Sequence, residues 1–187
     1  EPRVPGVIGK ALSFDGTNDY VNLPLEAHPP GDAKELTISF WSYGGPSLPK
    51  NTSVLESGSD LGRHLNIHHP WSNGRIYWDA GVGGVDRIEK DDVEYRGKWI
   101  HWAFQKNRNS GSMYIFRNGE EWMSGFAKTR PHGGPVENFR LGSARTGGSY
   151  WDGWIDEVRI SLKQESAASL KASYLSQTPG ANFVAIA

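Results

Sequence analysis

Apolar and polar residues alternate in short runs along most of the chain, and each run is closed by Gly, Asn, Asp or Pro. In residues 36–43, Leu36, Ile38 and Phe40 fall on one face and Thr37, Ser39 and Trp41 on the other. That period of two marks a strand with one face toward a core. The same alternation predicts strands over 10–14, 19–23, 53–57, 63–68, 75–79, 99–106, 112–117, 120–126, 136–142 and 153–162. Asp15-Gly16-Thr17-Asn18 reads as the turn joining the first two, Ser72-Asn73-Gly74 as a hairpin-type turn and Asn118-Gly119 as a tight one. Asn, Asp and Gly serve there because they accept left-handed backbone. Only Ser166–Leu175 has helical character, with Ser166 as cap and Leu170 and Tyr174 four apart. Roughly a dozen short strands at this spacing predict an all-β sandwich or barrel in one domain spanning residues 1–187.

Composition narrows the classes. The 187 residues include 23 Gly, 11 Pro and 8 Trp with no repeating register, which fits many strands and many turns. The net charge of -1, with no run of either sign, gives no footprint for nucleic acid or for an anionic membrane surface. The absence of Cys excludes disulfides, thiolate metal sites and a cysteine nucleophile. No stretch reaches the length of a membrane-spanning helix. The chain opens at Glu1 without a basic and apolar leader, so it is expected to be a segment of a larger protein with other domains.

Five pieces occur in order: Ala11-Leu12-Ser13-Phe14-Asp15-Gly16 with Asp19-Tyr20-Val21, Leu36-Thr37-Ile38-Ser39-Phe40-Trp41, Trp99-Ile100-His101-Trp102-Ala103-Phe104, Tyr114-Ile115-Phe116-Arg117-Asn118-Gly119 and Gly153-Trp154-Ile155-Asp156-Glu157-Val158-Arg159-Ile160. The set resembles bacterial laminin G-like domains of the concanavalin A-like superfamily. The resemblance implies an antiparallel two-sheet jelly-roll β-sandwich with one short C-terminal helix. It also implies an adhesive or carbohydrate-binding module, secreted or on the cell surface. A module that binds a cell-surface or matrix protein, or acts as a spacer in an adhesin, is the alternative; a polysaccharide hydrolase or lyase is a third.

The resemblance further implies a structural calcium ion near the first and last strands, at Asp15, Asn18, Asp19 and Asp156. Ca²⁺ takes six to eight oxygens, which such a turn can help supply. By parity Asp156 shares a face with Trp154, Val158 and Ile160, read as the core side, where a carboxylate needs a cation, an Arg or several donors. The other reading is that Asp15 fixes an Asx turn and Asp156 accepts backbone N–H groups or pairs with an Arg.

For a glycan, aromatic rings that stack on C–H faces beside a few polar groups are the required chemistry. Candidates are Trp71, Trp151, Tyr150, Arg145, His68, His69 and Trp78, with Tyr77 beside them. Trp71 and Trp151, in loops, read equally as exposed platforms or as core. Trp41, Trp99, Trp102 and Trp154, inside alternating strands, read as core. His64 and His68 would stand about 13 Å apart on one strand face, too far to share a zinc ion. Glu89-Lys90-Asp91-Asp92-Val93-Glu94 spells the E-x-D-x-x-E of catalytic jelly rolls, but its polar intervening residues read as a solvated loop. Asp156 and Glu157, as strand neighbours, point apart and cannot pair as retaining catalysts. No nucleophile elbow, P-loop or metalloprotease motif is present.

Overall fold

The computed structural model describes residues 3–178 and 180. Among the described residues thirteen strands form two antiparallel sheets, the two-layer jelly-roll-like sandwich that the alternation and the resemblance implied. The seven-stranded sheet runs β1 (Arg3–Pro5), β2 (Lys10–Asp15), β13 (Asp152–Ser161), β4 (Glu35–Gly44), β9 (Trp99–Asn107), β10 (Ser112–Arg117) and β11 (Glu120–Gly125). The six-stranded sheet runs β3 (Val21–Asn22), β12 (Asn138–Leu141), β5 (Leu55–Ser59), β6 (Gly62–His68), β7 (Arg75–Ala80) and β8 (Asp86–Asp91).

The inward positions of each strand meet in one core. Leu36, Ile38 and Phe40 of β4 and Ile100, Trp102 and Phe104 of β9 face Leu65, Ile67, Ile76 and Trp78 of the other sheet. Trp78 and Phe104 touch edge to face across the layers at 5.9 Å. Lys106 continues the inward row of β9 and is fully buried. Its ammonium donates to the Ala80 carbonyl at 2.9 Å and to Asp86 Oδ2 at 2.7 Å, tying the sheets together at that end. The helix α1 (Ala167–Gln177) is capped by Ser166, whose hydroxyl accepts from the Ser169 N–H at 3.1 Å. It lies on the outer face of the larger sheet, where Leu170 packs against Ala103 and Phe116. Beyond Leu170, Tyr174 packs against Trp41, and Gln177 accepts from the Trp41 indole N–H.

Three expectations change. The turn after β2 does not close a hairpin: β2 and β3 belong to different sheets, so the Asp15 turn carries the chain across the sandwich. Residues 86–91 form β8, paired with β7, where a solvated loop was expected. Ile88 on it is buried in the core, which the flanking charges Asp86, Arg87, Glu89 and Lys90 concealed. Finally, β13 does not alternate throughout. A bulge between Asp156 and Arg159, with Glu157 at φ 52°, shifts the phase by one residue. Ile155 faces the core before the bulge, and Val158 and Ile160 pack on it afterwards. Trp154 and Asp156 therefore stand on the outer face.

Candidate functional site

Cross-strand register assembles an aromatic row on the outer face of the larger sheet. Ser13, Trp154, Tyr43 and Trp99 are consecutive partners on β2, β13, β4 and β9. Tyr43 and Trp154 stack at 4.5 Å with 22° between planes, and Trp99 stands 5.8 Å from Tyr43 and 6.2 Å from Trp154. All three rings are partly exposed. The next row along this face, Asp156, Trp41 and His101, is buried beside the end of α1. Trp154 and Tyr43 line a cleft of about 540 Å³ whose other walls include Gly44, Gly45, Arg96 and Asp152. Gly153 has φ 132° and sits so close to the Tyr43 carbonyl that a side chain would collide with it, which keeps the backbone low beneath the rings. Asp152 accepts from the Ser47 N–H at 2.8 Å, fixing a carboxylate at the rim. The combination can hold a small polar molecule with an apolar face: flat rings to stack on, and a carboxylate and a guanidinium at the edge.

The outer face of the smaller sheet has the opposite chemistry. Arg140, Glu56, Asn66, Asp79 and Arg87 are consecutive partners from β12 to β8. Glu56, Asn66 and Asp79 are buried. Arg87 grips Asp79 with two hydrogen bonds of 2.6 and 2.7 Å, and this pairing raises the guanidinium's affinity for its proton.

The residues expected to bind a sugar divide between core and surface. Trp151, His69 and Trp78 are fully buried, which corrects any role as a platform. Trp151 stacks on His69 at 5.4 Å, and the Trp78 indole donates to the Gln105 carbonyl. Burial pushes the His69 imidazole down to about 3 and His68 to about 4. His68 is buried against the partly exposed Trp71, ring centres 4.2 Å apart, with Tyr77 behind it. Arg145 reaches Glu56 across Gly58, and Tyr150 is partly exposed near Gly147. Of that set, Trp71, Tyr150 and Arg145 thus keep a surface position. Trp99 and Trp154, read as core, instead belong to the exposed row, and Tyr43 was not singled out at all.

The expected calcium ligands do not form one donor set. Asp15 pairs in register with Asp152, and Asp156 lies four residues further along β13, about 13 Å away at strand rise. Asp15 accepts from the Thr17 and Asn18 N–H groups, which hold its carboxyl below the usual range. Asp19 accepts from the Asp15 N–H, and Asp156 accepts from the Ile8 and Glu157 N–H groups. Lys50 already places an ammonium 2.6 Å from the Gly16 carbonyl of that turn. Among the described residues no three His, Asp or Glu side chains converge as metal ligands. In the E-x-D-x-x-E segment, Glu89 and Asp91 share the outward face of β8 and both pair with Arg75 at 2.7 Å. Glu94 lies past the strand end and pairs with Lys98, which lowers its pKa.

Two antiparallel sheets packed face to face, with one C-terminal helix, define a jelly-roll-like sandwich. The chain belongs to the laminin G-like family of the concanavalin A-like lectin/glucanases superfamily, whose model matches residues 15–170. No curated protein matches it. Among solved structures it is similar to domain 4 of the extracellular arabinanase AbnA from Geobacillus stearothermophilus, in complex with arabinotriose. The TM-score is 0.70 and the identity 22%, over 90% of this chain and 78% of that one. The botulinum neurotoxin serotype G binding domain gives 0.71 and 12%, over 91% of this chain. The serotype D ligand binding domain in complex with N-acetylneuraminic acid gives 0.67 and 20%, over 90%. The chain spans 43% and 42% of those two neurotoxin domains. Among the described residues no helix is long and apolar enough to cross a membrane.

Proposed function

We propose that this chain is a non-catalytic glycan-binding module working outside the cell, and that a sugar ring docks in the cleft of Trp154 and Tyr43, with Trp99 at its side. The observation that carries the reading is the partly exposed row of three rings beside the anchored Asp152 carboxylate. Rings of this kind cover the apolar face of a pyranose or furanose, while Asp152 and Arg96 exchange hydrogen bonds with hydroxyls at its edge. The sugars bound by the arabinanase domain and the serotype D domain support a glycan as ligand. A non-catalytic role is supported by the carboxylates of the E-x-D-x-x-E segment, where Arg75 and Lys98 hold the three glutamate and aspartate side chains named above in ion pairs.

The test is affinity electrophoresis in gels cast with arabinan, xylan, β-glucan, mannan and pectin, followed by calorimetry with oligosaccharides of any retarding polymer. Trp154→Ala should weaken binding by about tenfold or more, the cost of a central aromatic anchor, with an unchanged far-UV spectrum. Failure of every polymer to retard the wild type, or equal binding by Trp154→Ala, would sink the assignment.

A further inference from the structure

The outer face of the smaller sheet carries more guanidinium than its carboxylates use. Glu56 and Asp79 flank Asn66 on the neighbouring strands, and Arg63, Arg87 and Arg145 converge on the two acids. Arg87 alone satisfies Asp79 with its bidentate grip. Arg63 reaches over the row between them, its Nη1 donating a third hydrogen bond to Asp79 at Oδ2, 3.2 Å away, while its Nε stands 3.6 Å from Glu56 Oε1. Arg145 approaches the same Glu56 oxygen at 3.7 Å, outside hydrogen-bond range. Glu56 also accepts from the Ser53 hydroxyl at 3.1 Å. Both acids therefore keep a partner if Arg63 turns away, and one positive charge is in surplus.

Beneath Arg63, the Asn66 amide is fully buried, and neither its nitrogen nor its oxygen has a hydrogen-bond partner. A buried amide left unpaired costs roughly 1–3 kcal/mol, so such groups call for an explanation. Its neighbours on the row are both charged, and the partly exposed Arg63 bridges these two flanking acids. From Glu56 to Asp79 the row spans two interstrand spacings, about 10 Å, wider than a simple anion needs.

We propose that this face is a second binding site, separate from the aromatic cleft, for an acidic polysaccharide. Arg63 and Arg145 clamp the carboxylate of a uronic acid residue, and the Asn66 amide, uncovered as Arg63 turns to the ligand, bonds its ring hydroxyls. Guanidinium suits the task because its fork matches a carboxylate and gives up water more readily than an ammonium. Arg145 already stands beside Glu56 in the free protein, so Arg63 is the group that reorients on binding.

The experiment titrates ¹⁵N-labelled protein with trigalacturonic acid, with its fully methyl-esterified form and with sodium sulfate. Saturable shifts confined to β5, β6 and β7 with the acid, and none with the ester, are expected. Arg145→Gln and Asn66→Ala should each weaken that binding by about tenfold or more, as for loss of one partner in a desolvated charged contact, and rising salt should weaken it further. Arg145→Gln is the informative variant should Asn66→Ala unfold, since Arg145 comes from a loop. Equal shifts with the ester would remove the anionic recognition. Saturation by sulfate as tight as by the acid would reduce the face to a simple anion site, and no shifts at all would overturn the proposal. Shifts centred on Tyr43 and Trp154 would also overturn it while leaving the cleft as a sugar site.

Discussion

All six histidines are buried, and burial depresses the pKa of each. His28, His68, His101 and His132 fall to about 4 and His69 to about 3. Acidification therefore loads protons onto the unfolded chain first. Above the unfolded value of 6.5 both states carry neutral imidazoles and nothing is lost. As pH falls from 6.5 toward 4 the unfolded state gains protons that the folded state refuses, and stability drops with them. A single group shifted from 6.5 to 4 removes about 2 kcal/mol by pH 5. The five with stated values would together remove about 10 kcal/mol, comparable to the ~5–15 kcal/mol that holds a whole domain. Half of that would still be plain in an unfolding curve. The assay is urea unfolding followed by tryptophan fluorescence at pH 8, 7, 6 and 5, with the imidazole C–H resonances of the folded protein titrated in parallel. The expected result is a loss of several kcal/mol between pH 7 and pH 5, with the folded imidazoles of His28, His68, His69, His101 and His132 titrating below pH 5. His132→Leu should flatten the slope by up to about 1.4 kcal/mol per pH unit, since it deletes one site of proton uptake. A loss below about 1 kcal/mol over that interval, or a folded imidazole titrating near its ordinary value, would refute the burial argument.

Other consequences follow from single contacts. Asp86→Ala leaves Lys106 buried without its counter-charge and should cost about 3–5 kcal/mol in denaturant unfolding, whereas Lys106→Met with Asp86→Leu should recover most of it. Gly153→Ala forces a side chain against the Tyr43 carbonyl at φ 132°, so a loss of more than about 2 kcal/mol is expected, with weaker sugar binding in the variant as it remains folded. Calcium at millimolar concentration, compared with chelator, should leave the melting temperature unchanged, because Asp15 and Asp156 act on separate backbone turns; a Ca²⁺-dependent rise lost in Asp15→Ala would restore a metal to that turn.

How much of this was legible in the sequence depended on whether strand parity survived. In β4 and β9 it did, and it already put Trp41 on the face of Thr37 and Ser39, opposite Phe40. A large ring on a polar face is a surface signal, and extending the same face by two residues leads to Tyr43. Trp99 follows from His101 in the same way. Trp154 could not be read so, because the bulge at Asp156 changes the phase of β13, and its apolar partners Val158 and Ile160 sit beyond the change. Bulges depend on how neighbouring strands bend, not on the local spelling. Trp151 shows the reverse limit: its place in a loop left platform and core equally open, and the chain there folds back so that its ring stacks on His69 in the core.

The two outer faces differ for a reason that lies in what covers them. The larger sheet has α1 to bury Trp41 and Phe116, so its outward positions can be aromatic, and the row just past the helix stays aromatic and open. The smaller sheet has no helix on it among the described residues, so its outward positions must satisfy one another: Glu56 and Asp79 flank Asn66, with Arg140 and Arg87 at the ends of the row. That row is neutral only where each acid is matched. The surplus guanidinium at Arg63 and the unmatched amide at Asn66 fall at the same place in the row, which is what a face kept solely for stability would have no cause to combine.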